Sequence, residues 1–359
     1  MLIQCTKKLL DTLKKRPDHV ENVPPLYSWH ANLLTINRRK TVVLMNDVSR
    51  YTVVLYGLKA ADFRKLDGLI ADAIRRRLSD ASVNPEIIER YLSASPGCVY
   101  AKTKNRAMVA RLNKACENVQ FRGEVLDPND LIQSAAGRGT SKILVGNSSG
   151  DYIIPDEVMY KELAKLTDQP VIQCRAAVIK ATLVLENHDV WRRVVVPLDI
   201  TFRQLHRILQ VLFQWTDSHL HEFTVYKGGK PSAQLVCDKE AFDFPGNTPM
   251  FMENDRLLSD FARRGTRIIY TYDFGDGWDH VLKVESIDEN STKNVPVCLE
   301  GEENTPPEDV GGEWGYEDYL KIMNDPTHPE HDERVEWSGD QSDQIFDLDD
   351  VNFRLETMF

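Results

Sequence analysis

Between Trp29 and Tyr56 the apolar residues fall into three short runs separated by polar turns. Leu33, Leu34 and Ile36 lie in the first, Val42, Val43 and Leu44 in the second, and Val53, Val54 and Leu55 in the third. Asn, Asp and Ser cluster at 37–40 and 46–50, where turn chemistry is wanted. The pattern predicts a three-stranded antiparallel meander. A short strand, LIQCT, and a basic helix through Lys7–Lys15 precede it. The period then changes: ADFRKLDGLIADAIRRRL places apolar residues at 63, 66, 69, 70, 73, 74 and 78, with basic residues on the other face, which is helical spacing. NPEIIERYLSA predicts a second helix, with Asn84 as cap and Pro85 at its first position. A strand, CVYAKT, and a helix, RAMVARLNKACENV, close a module near residue 120.

The stretches SAAGRGTSK and VGNSSGD are rich in small and polar residues and predict a linker over 121–170, with one short helix in DEVMYKELAKL. Strand-like composition returns in VIQCRAAVIKATLVLEN and VWRRVVVP. Asp199 precedes an amphipathic helix, TFRQLHRILQVLFQW, with apolar positions 202, 205, 208, 209, 212 and 213. Strands HLHEFTVY, RIIYTYDF and HVLKVESI follow, then a Pro/Glu/Gly-rich loop and short acidic helices. The expected fold class is α+β in two domains, 1–120 and 171–359, each a mainly antiparallel sheet packed with helices.

Composition sharpens this picture. The 359 residues suit two or three domains at roughly 100–200 residues each. The six cysteines include no CxxC pair, which argues against a disulfide framework or a zinc ribbon and fits a reducing cytoplasm. No apolar run approaches the roughly 20 residues of a membrane span. The start, MLIQCTKKLL, lacks the long apolar core of a secretory signal. The expectation is a cytoplasmic protein without a membrane partner. The net charge of −11 is divided unevenly: residues 1–120 carry +10, and residues 121–359 carry −21. A basic module facing nucleic acid or an acidic protein, an intramolecular contact between the basic and acidic domains, and two solvated faces all fit this asymmetry.

The densest candidate chemistry is YTYDFGDGWDH, Tyr270–His280. As a hairpin it admits two registers. A two-residue turn at Asp276–Gly277 sets Asp273 opposite His280. A three-residue loop, Gly275–Gly277, sets Tyr272 opposite His280 and Phe274 opposite Trp278. The second gathers an aromatic face of Tyr270, Tyr272, Phe274 and Trp278 and is the expected one. It also sets Asp273 opposite Asp279, with Asp276 at the tip. Opposed like charges need a compensating cation or backbone donors. His219 and His221 are two apart on an expected strand and share a face. With Asp273 and His280 they form a possible N/O set for a divalent metal ion; packed histidines and turn-capping carboxylates are the alternative. Glu308 and Asp309, beside a Gly-Gly pair and Trp314, join Asp276, Trp278 and Asp279 as a candidate ligand or partner surface. In the first module, Arg38, Arg39 and Lys40 occupy a hairpin turn that could hold phosphates. The Arg75–Arg77 run could add to it, or serve a helix C-terminus. Standard nucleotide, zinc-protease and serine-hydrolase motifs are missing, and no catalytic residue is identified.

The segments VWRRVVVP, SHLHEF, YTYDFGDGWDH, CLEGEENTPPEDVGGEWGYEDYL and DPTHPEH occur in an order that resembles the plasmid pRiA4b ORF-3-like family, over about residues 171–359. The resemblance implies an α+β fold, no established activity and an association with mobile elements. Many relatives carry a second cysteine where this chain has Thr305, and some a third at Val310, so a thiolate cluster around Cys298 is not expected. SWHANLLTINRRK and LYGLKAADF resemble a catalogued domain of unknown function over about 1–118. The expected function is a non-catalytic binding or adaptor protein with an unknown protein or nucleic-acid partner. A metal-dependent hydrolase acting on nucleic acid, and a nucleic-acid binder acting through the basic module, are the alternatives.

Overall fold

The computed structural model describes residues 1–18, 22–147, 150–339, 341 and 345–358. The chain forms two compact units, Met1–Gln173 and Cys174–Phe359. Among the described residues no helix is long and apolar enough to cross a membrane.

The first unit holds β1 (Leu2–Cys5), α1 (Lys7–Leu13), β2 (Ser28–Ile36), β3 (Arg39–Asn46), β4 (Thr52–Tyr56), α2 (Ala60–Arg64), α3 (Leu66–Ser79), α4 (Pro85–Ser93), β5 (Val99–Lys102) and α5 (Arg106–Phe121). The meander is present, with β2, β3 and β4 antiparallel. β1 adds to it in parallel between β2 and β5. Asn37 and Arg38 alone make the β2–β3 turn, both at positive φ, as a tight primed turn requires. Arg39 and Lys40 therefore lie in β3 rather than in the turn. Helices cover both sheet faces. Val42 and Leu44 pack with Ile70, Ile74, Ile87 and Tyr91, while Val43 and Met45 pack with Met108, Leu112 and Ala136. Burial on both sides explains the unbroken apolar run of β3.

Residues 121–170, expected as a linker, are part of this unit. They carry α6 (Ser134–Ser141), a two-stranded ribbon of β6 (Val145–Gly146) and β7 (Tyr152–Ile153), and α7 (Pro155–Ala164). The small residues serve close packing. A Cβ on Gly137 would meet the Thr52 carbonyl oxygen at 2.8 Å, and the Ser141 hydroxyl accepts the Thr52 N–H at 2.9 Å. Met159 and Leu163 of α7 are fully buried in the core. The arginine run fastens the segment. Arg77, buried against the Tyr51 ring, donates two hydrogen bonds to Asp156, and Arg76 binds Asp130.

The second unit holds β8 (Cys174–Leu183), β9 (Trp191–Pro197), α8 (Phe202–Leu212), β10 (His221–Lys227), β11 (Lys230–Val236), β12 (Met250–Met252), α9 (Leu258–Phe261), β13 (Arg267–Tyr272), β14 (Trp278–Ser291), β15 (Val297–Glu302), α10 (Gly312–Met323), α11 (His331–Ser338) and α12 (Leu348–Met358). Its eight strands run in the order β12-β11-β10-β13-β14-β8-β9-β15, antiparallel except for β11 and β12. Strand residues alternate. Ile179, Val194, Phe223, Tyr270 and Leu282 enter the core with α8, α10 and α12, and the other face is solvated. α8 is capped by Thr201, not Asp199. The Thr201 hydroxyl accepts the Gln204 N–H, and the Gln204 side chain accepts the Thr201 N–H, a capping box.

Candidate functional site

The hairpin closes in neither expected register. Tyr272 pairs with Trp278, Thr271 with Asp279 and Tyr270 with His280, which leaves a five-residue loop, Asp273–Gly277. The cause is local. Asp273 adopts a left-handed φ of 55°, its Oδ1 accepts the Gly275 N–H at 2.9 Å, and its carbonyl accepts the Gly277 N–H at 2.7 Å. An Asp side chain that mimics a backbone turn favours this longer loop. The shift from the expected register is even, so each strand residue keeps its face. Tyr270, Tyr272 and Trp278 are buried as expected, whereas Phe274 is carried into the loop and stands 55% exposed. Asp279 faces Thr271, which donates to it at 2.5 Å, and not Asp273. The anticipated opposition of like charges therefore does not arise.

Three segments meet at the hairpin tip. The Asp273 N–H donates to the Leu220 carbonyl at 3.0 Å. Asp276 Oδ2 accepts the Gly311 N–H at 3.1 Å. Gly312 sits so close that a Cβ there would meet the Asp276 carbonyl oxygen at 2.7 Å, and its φ of 68° also suits glycine. Glu308 is buried beneath this junction. It accepts from the Tyr272 hydroxyl and from the hydroxyl and N–H of Thr216, and so locks the loop to the strand. Burial and this carboxylate hold the Tyr272 phenol well above its usual pKa. Trp278, expected on the ligand surface, is in the core. Asp309 and Asp279 are exposed, and Trp314, on the first turn of α10, is 88% exposed.

The four residues expected to share a metal divide among three places. His219 precedes β10 instead of lying in it. Its Nδ1 is 3.7 Å from Asp273 and its Nε2 3.1 Å from Asp309 Oδ1. The second approach is out of line, so this Nε2 makes no hydrogen bond. These three residues offer ligand atoms within 4.8 Å of one another. His221 instead meets residues that the sequence did not flag. Its Nε2 bonds Glu253 at 2.8 Å, and its ring stacks on His206 at 3.5 Å with 2° between the planes. His206 in turn bonds Asp217 through Nε2 and the Tyr270 hydroxyl through Nδ1. His206, Asp217 and His221 likewise place ligand atoms within 4.8 Å of one another. The stacking argues against a metal ion in this arrangement, because an imidazole ligates in its own plane and no single ion lies in two parallel planes 3.5 Å apart. Burial and the neighbouring His221 lower the His206 pKa to about 4. His280 is fully buried, with Nδ1 near the Tyr270 and Trp278 carbonyls and its ring edge-on to Phe213 and Trp215. Burial lowers its pKa to about 3, so it is a neutral packing residue at pH 7. One signal for His206 was available: it falls on the apolar stripe of α8, next to Leu205 and Leu209. Glu253 had none.

In the first unit Arg38, Arg39 and Lys40 are exposed at a hairpin end, with Arg39 6.0 Å from the Tyr56 ring and Lys40 5.3 Å from that of Phe63.

A family model described as plasmid pRiA4b ORF-3-like protein matches residues 175–355, and one for a domain of unknown function matches 2–158. The latter extends through most of the stretch expected as a linker, in agreement with its packing. An uncharacterised protein of Sinorhizobium fredii, y4hQ, is 38% identical over 167 residues, which is 46% of this chain and 82% of the relative. The crystal structure of a protein of unknown function, MM3350 from Methanosarcina mazei Go1, is similar at 33% identity and a TM-score of 0.43, over 49% of this chain and 97% of that one.

Proposed function

The chain belongs to the plasmid pRiA4b ORF-3-like family through its second unit, and from that premise we propose that it is a binding or adaptor protein that engages a partner at the hairpin tip. One observation carries the reading. The loop at 218–220, the hairpin tip and the loop at 308–312 are fastened to each other around exposed Leu220, Phe274 and Trp314, which are 53%, 55% and 88% exposed. Large apolar side chains held out by a braced scaffold match the anchor residues of interfaces. Asp309 and Asp279 give them an acidic rim. A photo-crosslinking residue at Phe274 should capture a discrete partner in cells, and Trp314→Ala should abolish the capture. A crosslink at Phe353, which is 65% exposed, should not reproduce it. The reading fails if the tip and Phe353 positions give the same products, or if Trp314→Ala changes nothing.

A second reading places a divalent cation at His219, Asp273 and Asp309. The unbonded Nε2 of His219 beside two carboxylates favours it, and oxygen and imidazole ligands suit such ions. Bound metal in stoichiometric amount, lost in His219→Ala, would support this site and the hydrolase that could be built on it. Melting that neither chelator nor added Mg²⁺, Mn²⁺ or Zn²⁺ shifts would exclude both.

A further inference from the structure

The solvated face of the second unit's sheet carries a row of cations. Tyr226 pairs with Arg267, Arg267 with Lys283, Lys283 with Lys180, and Lys180 with Arg193. Residues directly opposite on neighbouring strands share a face, and the strands are about 4.8 Å apart. Arg193 is neutralised by Glu285 at 2.7 Å and by Glu300. Among the described residues, Arg267, Lys283 and Lys180 have no ion-pair partner. Their close neighbours are aromatic: the Lys180 ammonium lies 4.1 Å from the centre of the Trp191 ring, and the Arg267 guanidinium 5.7 Å from that of Tyr226. The adjacent row on the same face, Thr224, Ile269, Val281, Thr182 and Trp191, is uncharged. At the Tyr226 end the row runs into a cavity of about 540 Å³ lined also by Lys227, Arg263 and Arg264. Asp260 also lines this cavity, with Oδ2 accepting the Leu257 N–H; Glu289 pairs with Arg175, Glu302 accepts the Trp191 indole N–H at 3.1 Å, and Glu222 and Asp279 lie one row beyond the uncharged one. All this occurs in a unit with 18 basic and 36 acidic residues.

Like charges directly opposed across a sheet destabilise it. An acidic unit has carboxylates to spare, yet none is placed between these three cations. We infer that this face binds single-stranded nucleic acid. Its phosphates lie along Arg267, Lys283, Lys180 and the basic cavity, and its bases lie against Trp191, Tyr226 and the uncharged row. A cationic track interleaved with aromatic rings is the general solution for single strands. Helices α8, α10 and α12 pack against the opposite, core face, so none of them projects from this face to enter a duplex groove. The site is independent of the hairpin tip, because Arg267 and Lys283 lie at the opposite end of that hairpin.

The test uses the full chain and a fluorescent single-stranded DNA of about 12 nucleotides, within the span such surfaces cover. Anisotropy at low salt should report binding that weakens as salt rises. Lys180→Glu with Lys283→Glu should weaken it at least about 10-fold and lower the salt slope by about 1.4. The corresponding double Gln variant should weaken it less. Trp191→Ala should cost about 5- to 100-fold, with Trp191→Phe close to the parent. Alanines at Arg38, Arg39 and Lys40 should leave binding unchanged. The inference is overturned if no binding appears at low salt, if both double variants bind like the parent, if only the Arg38–Lys40 variant loses binding, or if a duplex of equal length binds as well.

Discussion

The arginine run of the first unit and the cation row of the second invert what the net charges suggest. Arg75, Arg76 and Arg77 belong to the basic module, yet each is matched: Arg75 with Glu89 and Asp72, Arg76 with Asp130, and Arg77 with Asp156. Arg267, Lys283 and Lys180 belong to the acidic unit and have no ion-pair partner among the described residues. Net charge per module therefore misdirects the search for anion sites. The balance around each cation is the informative quantity, and it depends on which strands and helices the fold brings together.

The most severe break of this contrast is at Arg77. The pair with Asp156 is buried, with desolvation raising the Asp156 pKa against the pull of Arg77. Removing one partner leaves an uncompensated buried charge, which costs about 3–5 kcal/mol. Arg77→Ala and Asp156→Ala should each lower the melting transition of the first unit by that order in calorimetry. An Arg77→Met, Asp156→Leu double variant should recover much of the loss, since apolar replacement of a buried pair is often neutral. A double variant no better than the singles would show that geometry, not charge, sets the cost.

The next break acts through pH on the second unit. His280 and His206 have folded-state pKa values lowered to about 3 and about 4 from an ordinary value of 6.5. The unfolded chain then binds more protons than the folded one throughout that interval, so stability rises with pH there. It should be complete above about pH 6.5 and fall by up to about 1.4 kcal/mol per pH unit for each histidine as pH drops toward 4. His280→Phe, which suits the box of Phe213, Trp215 and Tyr270, should remove about half of this slope. Denaturant melts at pH 4.5 and 7 measure it, and an unchanged slope would reject the assignment.

How much was legible beforehand follows the same division between local and assembled features. The meander, the Asn84 cap and the alternation of Tyr270, Tyr272 and Trp278 are written in short-range pattern, and they stand in the structure. The Asp273–Gly277 loop is not legible in the sequence, because the Asp273 side chain competes with the backbone for turn N–H groups, which residue spacing does not reveal. α6 looked like a linker because glycine, alanine and serine serve flexibility and close packing alike. The neighbour that decides, Thr52, lies in β4. The hairpin tip and the Gly311 loop are expected together as one candidate surface, but the hydrogen bonds that fasten Leu220 and Gly311 to the tip are not readable from residue spacing. The pairing of His221 with His206 and Glu253 was not visible at all, because it joins β10, α8 and the chain after β12.

The finest test of the contrast is a single charge reversal. Lys283 sits between Arg267 and Lys180, so Lys283→Glu converts two like-charge oppositions into two ion pairs. Cross-strand pairs of this kind contribute roughly 0.2–1 kcal/mol each. The variant should therefore melt slightly higher than the parent, and the gain should shrink in high salt, because the charges are exposed and screened. The mirror change in the first unit, Arg75→Glu, breaks pairs with Glu89 and Asp72 and should melt slightly lower, with salt reducing the loss. Opposite signs for two equal charge reversals would establish that the cations of the acidic unit are held against its own stability. Equal signs would mean that the row is already neutralised in solution, and the contrast between the two units would dissolve.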